Sequence, residues 1–569
     1  MAYFLRKFKK NNDYYLQICE TTYNKETKKS SNKNYKILGY LNDLKEQYKN
    51  PIEHFKIVVS ELNKRRKEEN EEKVSSFTYV TQNIGYFLIK SMLNTLHVKQ
   101  ELDLMGQGYK YEKTVSSFIE AMMYCQIVKP SSKLKNAQEI LPSLFKVEQF
   151  SDDQIYRMIN FIGSNYKKYI ELFNSHIEQV FPRNYKHMFF DCTNFYFEID
   201  LPCDDKQKGP SKENRKEPII GQALLLDGNQ IPLNMEMYPG NESEKKYIRK
   251  LIDEMKTKSN IKGRTIQVAD KGLNCARNIY AAAKESNDGY VFSKSIHGKL
   301  LSDKEKKWLL LEDNDSNKWT NVYDSNGQLR YKYKSCVDIF EYEFTNDEGK
   351  KINFNIKEKR VVSFNPELAR KQKFEINRQI EKIRKLNTVK GVKRDEYGDS
   401  IKYVNFESNL KGAILKPVLN EDKIQEDKLF AGYNLIVSSE IKLDAKQIYE
   451  IYHGLWRIEE SFRITKSYLE ARPVYLQTKE SIYGHFLICY LALTAIRLLE
   501  FNIFKNEINS SELIKFIRSF NITKYGDKYI SNIKNTNVLQ KIKEVTQITT
   551  LDNLYFDENK IKNLLNYEY

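Results

Sequence analysis

The chain has 569 residues, with 93 Lys and Arg against 76 Asp and Glu, for a formal net charge of +17 and a pI near 9.1. That length suits several domains with ample buried core, and the basic balance suits a polyanionic partner without identifying one. Seven scattered cysteines, odd in number and without a C-x-x-C pair, give no pattern for a disulfide framework or a zinc site and point to a reducing compartment.

The first residues, M-A-Y-F-L-R-K-F-K-K, lack the apolar stretch of a signal peptide. Residues 1–77 read as a small β-containing unit with strand candidates at Tyr14–Cys19 and Tyr35–Leu41, followed by a helix from Pro51 into the charged run Lys64–Lys73. That mixed-charge run is expected to be a solvated helix end or linker. Residues 78–180 read as mostly helical, with breaks at Gly106–Gly108 and Lys129-Pro130, and carry no short pattern diagnostic of a helix-turn-helix.

Between 181 and 296 the pattern changes. Met188, Phe189 and Phe190 form a short apolar run closed by Asp191, and R-T-I-Q-V-A-D closes on Asp270. Small or turn-forming residues follow both acids, so each is expected where its strand leaves the sheet. Ile219–Asp227 and Gln230–Tyr238 are strand candidates, and Asn241 and Ser243 offer caps for a helix over Glu242–Ser259. Residues 297–440 are far more than a strand-to-helix connection needs. Strand character at Ile339–Phe344, Lys351–Ile356 and Phe430–Val437, with a basic helix at Pro366–Lys385, predicts a β-rich insertion domain.

Residues 441–505 carry the third acid. Asp444 and Gln447 form a capping-box pattern, and Ile448, Tyr452, Leu455, Phe462 and Lys466 then recur on one helical face with Glu459 inside the stripe. A carboxylate there needs a cation or a donor network. Pairing with Arg463 one turn on would suffice for an isolated Glu, but Asp191 and Asp270 shift the balance towards a shared metal ion. Glu460 lies about 100° round the helix, and Glu198 is too close to Asp191 to supply a third, helical acid. Phe486–Ile496, too short to span a bilayer, falls within a packing helix expected over Thr478–Phe501, and residues 506–569 read as short amphipathic pieces in a helical region.

This order of strands, helices and acids resembles the RNase H-like catalytic domain of DDE transposases. More narrowly, it resembles bacterial insertion-sequence transposases of the superfamily numbered four, with the signature Y-(2)-R-(3)-E-(6)-K. Tyr452, Glu459 and Lys466 fall at the signature spacing, and Trp456 with Ile458 matches its common form. D-C-T at Asp191–Thr193, Y-P-G-N at Tyr238–Asn241 and A-D-K-G at Ala269–Gly272 extend the resemblance over about Tyr185 to Phe501. Leu455 departs from it, standing where the signature has Arg; Arg463 is the expected substitute because Arg457 points elsewhere.

The resemblance implies an α/β RNase H-like core with a β-rich insertion, in which Asp191, Asp270 and Glu459 hold Mg²⁺, with Mn²⁺ able to substitute. Tyr452 and Lys466 are then expected at DNA phosphates, Trp456 and Arg463 near DNA, and residues 78–180 are the candidate region for binding the element ends. The implied activity is cut-and-paste transposition: binding inverted terminal repeats, cleaving them and joining the 3′-OH ends to target DNA. Alternatives are a nuclease or recombinase of this fold that cuts without joining, or a non-enzymatic DNA-binding derivative. The implied partners are double-stranded DNA and a second copy in an end-paired homodimer, with no membrane, in the bacterial cytoplasm at the chromosome.

Overall fold

Alternation of apolar and polar residues at the amino terminus produces, in the computed structural model, an antiparallel sheet of β1 (Tyr3–Lys10), β2 (Asp13–Asn24) and β3 (Lys29–Tyr40). Helices Leu41–Gln47 and Pro51–Glu72 follow, and Leu16, Leu41, Leu44 and Phe55 bury a core of their own. β1 is an added strand: its charges fall among the apolar positions and mask the alternation. Residues 1–80 form one compact unit and 81–569 another. The structure describes all residues except 1, 25–28, 73–79, 108–114, 213–215, 259–260, 262, 298–300, 311–317, 388–393, 408–415 and 527. Lys73, Gly108, Ser259 and the boundary expected near 77 therefore lie outside the described residues.

The larger unit opens with β4 (Thr81–Asn83) and is organised by a sheet of nine described strands. Its centre is β5 (His187–Tyr196), β6 (Ile219–Leu226), β7 (Pro232–Pro239), β8 (Ile266–Ala269) and β9 (Gly289–Lys294). β5 pairs antiparallel with β6, and β6 with β7, while β8 runs parallel to both β5 and β9. Every residue of β6 is buried, as expected of a strand covered on both faces. Helix Lys245–Lys258 begins later than its cap signals suggest.

The segment expected to form a β-rich insertion domain extends this sheet. β10 (Thr320–Tyr323), β11 (Leu329–Thr345) and β12 (Lys351–Phe364) lead to β15 (Tyr433–Ser438), which pairs with β9. β13 (Val404–Glu407) and β14 (Lys416–Leu419) pair separately, and Ile376, Ile380 and Ile383 of helix Pro366–Leu386 pack with Tyr397 and Tyr403. The physical reason for the extension is burial: Val361 and Val362 of β12 are fully buried, as are Ile436 and Val437 of β15.

Helix Lys479–Leu498 is buried from Ser481 to its end and packs on helices Val115–Val128 and Asp152–Ser164. It crosses the latter closely, because a Cβ on Gly484 would collide with the Ile159 carbonyl and one on Gly163 with that of Glu480. The stretch Lys479–Ile503 is long and apolar enough to cross a membrane, yet 83% of its most apolar window is buried inside the protein, as in a core helix. The helices of 81–180 thus share their core with the carboxy-terminal half rather than standing apart. Residues 506–569, expected to be helical, also hold strands: β16 (Asn521–Tyr525), β17 (Lys528–Ser531) and β18 (Tyr555–Phe556) form a sheet with β4.

Candidate active site

Two acids are brought together by strand register. Phe190 of β5 is the parallel partner of Ala269 of β8, so the next residues, Asp191 and Asp270, leave the paired stretch side by side. Asp270 ends its strand as expected. Asp191 does not: β5 continues to Tyr196 against β6, with Asp191 opposite Leu224. What stops at Asp191 is the neighbour, because β8 turns away at Asp270, whose carbonyl accepts from the Leu273 N–H at 3.0 Å.

The third acid arrives on a helix whose start is as the sequence predicts. Gln447 N–H donates to Asp444 Oδ1 at 2.8 Å and Asp444 N–H to Gln447 Oε1 at 3.0 Å, a complete capping box. The helix is not continuous, however. It breaks into Ala445–His453 and Trp456–Arg463 at Gly454, where an added Cβ would lie 2.7 Å from the Phe189 ring, so only glycine admits this approach to β5. Beyond the break, Glu459 joins Asp191, Asp270, Tyr452, His453, Leu455, Trp456 and Ile458 around a cavity of about 170 Å³.

The cavity concentrates like charge. Burial, with Glu244 and Asp270 nearby, pushes the Asp191 carboxyl up to about 6 against the opposing pull of Lys212 and the Cys192 N–H. Burial and then Asp270 also raise Glu459, opposed by Lys212. Hard oxygen donors facing one cavity, their charge disfavoured by burial and then by neighbouring acids, fit a divalent cation. Tyr452 donates its hydroxyl to Asp270 Oδ1 at 2.9 Å, and burial followed by Asp270 holds the phenol above its ordinary value, so it remains a donor. This tyrosine is committed to a carboxylate, where a phosphate contact was expected.

The remaining expected residues scatter. Trp456 is 51% exposed at the cavity rim, with the Arg457 guanidinium 3.9 Å from its ring centroid. Lys466 lies 5.4 Å from the Phe195 ring, within the wider turn Ile464–Tyr468 that disturbs the simple helical phase. Arg463 lies 3.4 Å from Glu460 and lines a different cavity with Trp456, Arg457 and Glu460, so it does not take the place on the Glu459 side that Leu455 leaves. Glu460 turns to the buried Arg497 at 3.0 Å and to Arg457 at 3.1 Å. Burial alone would raise its carboxyl, but those two cations hold it below the ordinary value.

Three participants escape sequence reasoning. Lys212 stands 3.5 Å from Asp191 and 3.6 Å from Glu244, and neither residue carries a periodic signal. Arg497 had one, as a charge closing a long apolar run. A tighter group also exists elsewhere: ligand atoms of His297, Glu426 and Asp427 lie within 4.8 Å of one another. Its acids are already compensated, since Lys423 stands 2.9 Å from Glu426 and 2.8 Å from Asp427, with Lys306 3.5 Å from Glu426.

No curated protein matches the sequence. Among solved structures, similarity extends to the cryo-EM structure of the piggyBac transposase synaptic complex with hairpin DNA, at 10% identity over 76% of this chain and 78% of that chain, with a TM-score of 0.33. A family model described as the transposase DDE domain matches residues 183–495, a stretch that begins just before β5 and ends within the core helix. Because that stretch is more than half of the sequence and takes in all three converging acids, the chain belongs to the transposase DDE domain family.

Proposed function

We propose that this protein is a cut-and-paste transposase that binds the inverted terminal repeats of an insertion sequence, cleaves them and joins the 3′-OH ends to target DNA. The observation that carries this reading is the convergence of Asp191, Asp270 and Glu459 on one cavity from adjacent parallel strands and a distant helix. The sheet order β9-β8-β5-β6-β7, antiparallel in one half and parallel in the other, supports an RNase H-like core. Asp191, Asp270 and Glu459 are then the residues that would hold Mg²⁺ or Mn²⁺. Bound there, divalent ions supply Lewis acidity for in-line displacement at phosphorus.

The chain's own groups prepare that chemistry. Tyr452 fixes the orientation of Asp270 through its hydroxyl, and Cys192 N–H holds Asp191 Oδ1 at 2.7 Å. The exposed face of Trp456 suits a base or sugar next to the scissile phosphate. Lys466 and Arg463 add positive charge for the DNA backbone. The family resemblance assigns end recognition to the amino-terminal 180 residues, pairs two copies across the two ends, and sets the reaction in the bacterial cytoplasm.

The test is nicking and joining of a labelled duplex carrying the repeats that bracket the reading frame, with Mg²⁺, by the native protein and by Glu459→Gln. Nicking and joining by the native protein alone are expected. Nicking without joining would favour a nuclease, and nicking retained by Glu459→Gln would refute the site.

A further inference from the structure

A lysine stands where the cavity acids meet a fourth carboxylate. Lys212 Nζ donates to the Cys192 carbonyl and lies 3.5 Å from Asp191 Oδ1 and 3.6 Å from Glu244 Oε2, with its side chain 42% exposed. Asp191 Oδ1 also accepts the Cys192 N–H at 2.7 Å, so two donors already draw on the oxygen that faces Lys212. Glu244 reaches this region because the A-D-K-G turn is small: a Cβ on Gly272 would stand only 3.0 Å from Glu244 Oε1. One ammonium is therefore shared between two acids of like charge, only one of which lines the Asp270–Glu459 cavity.

We propose that Lys212 is the resident counter-cation of Asp191, competing with the divalent ion for that carboxylate, and that Glu244 is the acceptor that takes the ammonium when the ion is bound. This rests on the assignment of Asp191 as a metal ligand. An ammonium and a divalent cation repel at such separations, so one of them must withdraw. Withdrawal costs little here, because Glu244 is already within reach and solvent access lets the flexible lysine stem rotate. Glu244 then acts through Lys212 and is a positioning residue.

The experiment is Mn²⁺ titration of the full-length, DNA-free protein, with free Mn²⁺ followed by electron paramagnetic resonance. Lys212→Gln is expected to bind Mn²⁺ roughly two- to fivefold more tightly, the effect of removing one half-exposed opposing charge, while Lys212→Arg stays near the native affinity. Glu244→Gln is expected to weaken binding in the native background and to have little further effect in Lys212→Gln, the coupling that marks action through the lysine. Unchanged or weaker binding by Lys212→Gln, with Asp191→Asn losing the ion, would overturn this proposal alone. An equal effect of Glu244→Gln in both backgrounds would overturn the role of Glu244. Native-like Mn²⁺ binding by Asp191→Asn would instead remove the site assignment beneath both.

Discussion

Arg497 donates from Nη2 to Glu460 Oε2 at 3.0 Å, tying the core helix to the residue beside Glu459. The same guanidinium reaches Glu500 at 2.6 Å and the Arg457 carbonyl at 3.1 Å, so the Glu459 helix is clamped from behind. Arg497→Met should lower stability by about 3 kcal/mol, because it takes the nearest cation from the buried Glu500 and one of the partners of the half-buried Glu460. Chemical denaturation measures this, and a loss of unfolding free energy of less than about 1 kcal/mol would mean the clamp contributes little.

The clamp also separates two neighbouring glutamates. Glu459→Gln, Asp191→Asn and Asp270→Asn should each abolish Mg²⁺-dependent nicking while leaving DNA binding intact, since each keeps shape and removes a ligand charge. Glu460→Gln should keep most of the nicking and instead lower the denaturation midpoint. Gel analysis of a labelled end duplex decides the matter; loss of nicking confined to the Glu460 variant would contradict the assignment.

Tyr452 offers a finer probe, because its hydroxyl touches Asp270 and its ring lines the cavity. Tyr452→Phe keeps the ring and removes only the hydrogen bond. Nicking is expected to fall about 10- to 100-fold, as when an outer partner of a metal ligand is removed. A rate equal to the native one would show that Asp270 needs no such anchor.

The core helix also confers a pH dependence. Burial, reinforced by Lys133, pushes the His485 imidazole down to about 3. The unfolded chain therefore binds a proton in a range where the folded chain does not. The contribution of His485 is complete above its ordinary value near 6.5 and is lost as pH falls towards 3, amounting to about 2 kcal/mol between pH 7 and 5. Glu358 has the opposite sign: burial pushes it up to about 7, so its share is present below the ordinary carboxyl value and lost as pH rises through 7. Comparing denaturation midpoints of native protein and His485→Gln at pH 7 and 5 isolates the histidine. Equal pH slopes for the two proteins would exclude it.

Legibility in the sequence followed the reach of each signal. Strands β5 to β8 were readable because their apolar runs are short and bounded, and the capping box at Asp444 because it is local. The need for glycine at 454 was hidden, since the Phe189 ring that crowds it stands on a strand far away in the chain. Arg463 misled for a related reason: helical phase places it near Glu459, but Glu460, held by Arg497, draws it to the other side. Lys212 was invisible because no period governs its loop. The extended sheet was missed because alternation identifies a strand but never its neighbour.

That extension bears on how such a protein can be trimmed or recombined. β15 lies on β9 and β12 on β15, so excising residues 297–440 would remove strands from an existing sheet. The cut would leave β9 with a bare row of backbone donors and acceptors, a template for intermolecular pairing. A shortened version should precipitate unless a new strand or a charged edge replaces what was lost. Homologous exchanges should therefore keep β9 through β15 together, so that the heritable module is an unbroken ribbon of sheet.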